Sequence, residues 1–131
     1  VKEVFFIDIN VLLRFLLNDH QNFSPKAKSI FLKAQEGKIE IYLDEIVVAK
    51  AVWTLSSYYQ IKKEKIIETL EKLISQNWII NPRKKLILEA LLLYKSKNIH
   101  YIDAWIFVVN KNIKTKLFTF DKNLAKLTKK I

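Results

Sequence analysis

The chain has 131 residues, half of them hydrophobic, with no cysteine and a formal net charge of +10. The lack of cysteine excludes a disulfide framework, a thiol nucleophile and a thiolate zinc site, and no apolar run nears the ~20 residues of a membrane helix. The lysine excess favours polyanion partners such as RNA, DNA or an acidic protein segment, although lysines scattered for solubility give the same total.

Residues 3–7 read as a short buried strand and 10–18 as a helix that is apolar on nearly all sides. A second helix has Ser24 as N-cap, Pro25 at its first position and Gly37 after its end. Residues 39–43 form the next strand, and 44–59 a helix capped by Asp44. An amphipathic helix spans 62–74, a short strand 77–80, and further helices 83–97 and 101–111. "KLFTF", residues 116–120, reads as the last strand, followed by a short helix from 122. Short apolar strands separated by helices predict one α/β domain over residues 1–131, a three-layer α/β/α arrangement around a short-stranded parallel sheet. Ligands of such sheets bind outside the carboxyl ends of the strands, where Asp8 and Asp121 end the first and last of them.

Asp8, Asp103 and Asp121 each lie within or beside a strongly apolar stretch. Aspartate is a preferred N-cap, so each has a purely local use. The other reading is convergence. Buried carboxylates repel one another and are costly without a partner, and a hard cation such as Mg²⁺ or Mn²⁺ relieves both problems.

Four segments in order, "FFIDINVLLRFLLND", "YLDEIVVAKAVWTL", "YIDAWIFVV" and "LFTFDKNLAKL", resemble the PIN-domain family. Within it they look like the ribonuclease toxins of virulence-associated toxin–antitoxin pairs. The resemblance implies a Mg²⁺- or Mn²⁺-dependent endoribonuclease that cuts single-stranded RNA. Asp8, Asp103 and Asp121 would hold the metal, with Asn10 and Thr119 as polar supports that orient the carboxylates. It further implies a cytoplasmic homodimer and a small antitoxin that covers the active site. Surface lysines, with Arg14 as a candidate, would guide the RNA backbone. The alternatives are an inactive PIN module that binds RNA or a protein partner without cutting, and a nuclease of the same fold directed at DNA.

Lys50 departs from the pattern, because it aligns with the glutamate the family carries. It shares a helix face with Ile46 and Trp53, an apolar face expected to point at the core. Three readings follow. The ammonium inserts among Asp8, Asp103 and Asp121 and takes the metal's electrostatic place, or it snorkels to solvent and leaves three aspartates to bind metal. In the third, Lys50 is itself catalytic at a phosphate or leaving oxygen. Glu45 points elsewhere and supports the helix N-terminus.

His20 and His100 read as surface residues, and Trp53, Trp78 and Trp105 as core. A lone Gly37 excludes a glycine-rich phosphate loop.

Overall fold

The computed structural model describes residues 1–129. Strand β1 (Glu3–Phe6) leads through Ile7 and Asp8 into helix α1 (Ile9–Leu17), which ends on left-handed Asn18. Helix α2 (Phe23–Gln35), strand β2 (Ile39–Tyr42) and helix α3 (Glu45–Trp53) follow. Next come α4 (Lys63–Ile74), β3 (Ile79–Ile80), α5 (Lys84–Ser96), α6 (Tyr101–Ile113) and α7 (Lys122–Lys129). The strands pair in parallel in the order β1–β2–β3, with Phe5 opposite Ile41 and Ile41 opposite Ile79. The expected α/β architecture is therefore present, a small parallel sheet flanked by helices. No described helix is long and apolar enough to cross a membrane.

The core forms where apolar faces of separate elements meet. Ile41 of β2, Leu12 of α1, Leu70 of α4 and Leu91 of α5 are fully enclosed. Phe15 stacks on Phe31, whose ring meets Trp78 edge-on. Behind β3, the Lys84 ammonium donates to the carbonyls of Gln76 and Ile79 and ties down the strand's approach.

Several local expectations are corrected. Ser24 is not the cap of α2. His20 Nδ1 accepts the N–H groups of Asn22 and Phe23 at 3.2 and 2.9 Å, so a half-buried histidine opens the helix instead. Ser24 is buried inside it, donating to the Arg14 carbonyl and accepting from the His20 N–H. The helix from 44 does not run unbroken to 59. After Trp53 it widens into a π-helical turn, Thr54–Tyr58, in which the Tyr59 N–H reaches the Thr54 carbonyl, and left-handed Gln60 stops it.

Residues 116–120 are not a strand. They connect α6 to α7 without a ladder partner among the described residues, where β1 pairs with β2 alone. Alternation and β-propensity describe a surface that suits a sheet, but pairing needs a neighbour within ladder distance. Asp121 accordingly follows a connecting segment rather than a strand end.

Candidate active site

Each strand's carboxyl end hands the chain to polar groups. After β1, Asp8 Oδ1 accepts the Val11 N–H at 3.0 Å and caps α1. After β2, Asp44 Oδ2 accepts the Ile46 N–H at 3.0 Å and caps α3. Asp121 Oδ1 accepts the Leu124 N–H at 2.8 Å at the head of α7, and Thr119 Oγ1 accepts the Asp121 N–H at 3.0 Å. Asn10 is exposed in the first turn of α1. Asp103, in the first turn of α6, is half-buried and caps nothing. It borders a cavity of about 380 Å³ together with Trp53, Ser56, Ser57, His100 and Tyr101.

The carboxylates suit a hard cation by their chemistry. Their arrangement does not form a ligand cluster. Among the described residues, no three Asp, Glu, His or Cys side chains lie close enough together to hold a metal ion. Two of the three aspartates are instead occupied as caps.

Lys50 corrects the expectation built on its helix face. Val47, Val48, Ala51 and Val52 point into the core, while Ile46 and Trp53 are 65% and 66% exposed and Lys50 lies between them in solvent. Trp53 is thus no core residue, whereas Trp78 and Trp105 are half-buried. Among the described residues no carboxylate lies within 4.0 Å of Lys50, so it does not sit as an ion between the three aspartates. The sequence misled here because α3 is apolar on nearly every side, and periodicity does not select its buried face.

Arg14 is also engaged within the chain. Its guanidinium pairs with Asp19 at 2.8 Å and donates to the Tyr59 hydroxyl at 3.2 Å. The Tyr59 bond first, then Asp19, raises its pKa against the opposing effect of burial. It braces α1 against the chain after the π-helical turn and is not a free contact for RNA.

A second polar group at the same sheet edge was invisible in the sequence. Buried Asn81, directly after β3, donates from Nδ2 to the Leu43 carbonyl at 2.8 Å and to Glu45 Oε1 at 2.9 Å. Its Oδ1 accepts the Arg83 N–H at 2.7 Å. Arg83 closes the network on Glu45 Oε2 at 2.9 Å, with its guanidinium over the Trp105 ring. Burial alone would raise the Glu45 carboxyl. Hydrogen bonds from Asn81, its own backbone and Arg83 outweigh that and hold it below its ordinary value. Burial, with the Glu45 charge added, pushes the Tyr101 hydroxyl well up, and this hydroxyl has no hydrogen-bond partner among the described residues. The network joins α3, which carries Lys50, to α6, which carries Asp103. The available signal was Asn-Pro-Arg-Lys after an apolar strand, which reads only as a turn.

A family model of the PIN domain matches residues 5–130. The chain belongs to the PIN-domain family. PIN domains are in general metal-dependent nucleases that bind RNA, so a nuclease fold is the coarse identity of this chain. No curated protein and no solved structure matches it.

Proposed function

We propose that this PIN domain is an endoribonuclease of the toxin type, cleaving phosphodiesters of single-stranded RNA. The family match over residues 5–130 carries the reading. Asp8, Asp103 and Asp121 follow in the expected order, each at the head of a helix. A net charge of +10 suits a polyanionic substrate. Partners under this reading are an antitoxin and a second copy of the chain, for which the exposed apolar residues Ile46 and Trp53 of α3 and Ile102 of α6 offer surface. Dependence on Mg²⁺ or Mn²⁺ belongs to the proposal. The described carboxylates do not make a site for the ion, so no step of the reaction is drawn through it. Lys50 puts a positive charge where the family has a glutamate. That weakens cation binding and favours phosphate, and it predicts low activity.

Cleavage of end-labelled single-stranded RNA with Mn²⁺, Mg²⁺ or chelator tests the reading, with Asp8→Asn beside the natural chain. Asparagine caps a helix as well as aspartate does. The variant should therefore unfold within about 0.5 kcal/mol of the natural chain while losing cleavage. Cleavage that survives both Asp8→Asn and chelation sinks the proposal.

A second reading is favoured by the absence of a three-carboxylate cluster among the described residues and by solvent-facing Lys50. It is an RNA-binding module that does not cut. Its signature is affinity for RNA that chelator leaves unchanged, with no cleavage under any ion.

A further inference from the structure

Residues 111–131 hold seven lysines and a single acidic residue, Asp121, a far steeper imbalance than in the rest of the chain. Lys111, Lys114, Lys116, Lys122 and Lys126 are all exposed, and among the described residues none has a carboxylate within 4.0 Å. Between them stand the two most exposed rings of the protein, Phe118 at 84% and Phe120 at 92%, edge to face with centroids 5.4 Å apart.

The segment that carries the rings is held at both ends. Thr115 donates to Asn110 Oδ1 at 2.8 Å through its hydroxyl and to the Asn110 carbonyl at 3.2 Å through its N–H. At the far end Thr119 and Asp121 lock the turn into α7. Leu117 packs against the core. With Leu117 held inward, Phe118 and Phe120 on either side of half-buried Thr119 are both left in solvent. Exposed aromatic faces interleaved with unpaired lysines are the chemistry that holds single-stranded nucleic acid, rings stacking on bases and ammonium groups meeting phosphates.

We propose that residues 111–126 form a platform for unpaired RNA, with Phe118 and Phe120 stacking on bases and the flanking lysines on phosphates. The inference rests on the reading of RNA as substrate, and it brings the strand beside Asp121.

The test is fluorescence anisotropy with an unstructured labelled RNA of about 12 nucleotides, in chelator so that nothing is cut. Phe118→Leu/Phe120→Leu keeps apolar bulk and removes the stacking faces. It should weaken binding about tenfold or more with an unchanged salt slope. Phe118→Trp/Phe120→Trp should hold or improve affinity. Lys114→Gln/Lys116→Gln should flatten the plot of log affinity against log salt by about 1.4. The same RNA as a duplex should not sense the leucine pair. Wild-type affinity in the leucine pair overturns the proposal. If its thermal midpoint also falls, the rings serve packing. Absence of RNA binding by the natural chain at low salt overturns it equally. A chain that binds in this way yet never cuts keeps the platform and loses the nuclease reading. A chain that cuts with the rings silent does the reverse.

Discussion

Asn81 holds the carboxyl edge of the sheet together, and its replacement by alanine has a cost that can be worked out bond by bond. The residue is 9% exposed and its side chain makes three hydrogen bonds, to the Leu43 carbonyl, to Glu45 Oε1 and from the Arg83 N–H. The two neutral bonds are worth about 1 kcal/mol each, and the one to the ionised carboxylate about 1.5 to 3. Glu45 and Arg83 keep each other and are partly open to water, so the lower end of that range applies. Asn81→Ala should therefore lose about 3.5 kcal/mol, or about 13 °C in midpoint for a domain of this size. Urea unfolding measures it, with an unchanged slope marking a stability effect rather than a change in the unfolded state. Asn81→Asp sharpens the case. It keeps the acceptor for Arg83 but sets a second carboxylate against Glu45 and the Leu43 carbonyl. It should be worse than alanine at neutral pH and recover in part on acidification, when the pair can share a proton. A loss below about 0.5 kcal/mol in the alanine variant, or wild-type stability in the aspartate variant, refutes the network as a structural tie.

The same network sets an acid response. The unfolded Glu45 carboxyl titrates near ~4.3, and the folded one lies lower. Its ionised form therefore contributes stability above ~4.3 that is lost as pH falls through the folded value. Glu45→Gln should flatten the acid limb of stability, read from urea midpoints between about pH 3 and about pH 6, and an unchanged limb contradicts the assignment. Lys50→Glu, on an exposed face, should change stability by no more than about 0.5 kcal/mol. Calorimetric titration with Mn²⁺ should show tighter binding by the glutamate variant, and identical isotherms would remove residue 50 from any role in cation affinity.

Much of the fold and part of the site are local in origin, and those parts were legible in the chain. Asp8, Asp44 and Asp121 cap helices through bonds to N–H groups two or three residues on, so sequence neighbours suffice to define them. Short apolar strands between helices pointed to the parallel sheet, but the expectation that residues 3–7 are a buried strand is corrected: β1 is an edge strand with Val4 46% and Phe6 67% exposed. Gly37, at φ +83° just past α2, marks a turn that only a residue without a Cβ takes easily.

Tertiary structure decided what depends on a distant neighbour. Which face of α3 is buried was undetermined while nearly all its faces were apolar, and packing against α1 and α6 sent Lys50 and Trp53 outward. Asn81 and Glu45 lie 36 positions apart, and parallel pairing of β2 with β3 brings the ends of both strands to one edge, where their side chains meet. Residues 116–120 carry a strand's pattern and stay unpaired, because a ladder needs a partner's backbone within hydrogen-bond reach and no residue pattern can supply one.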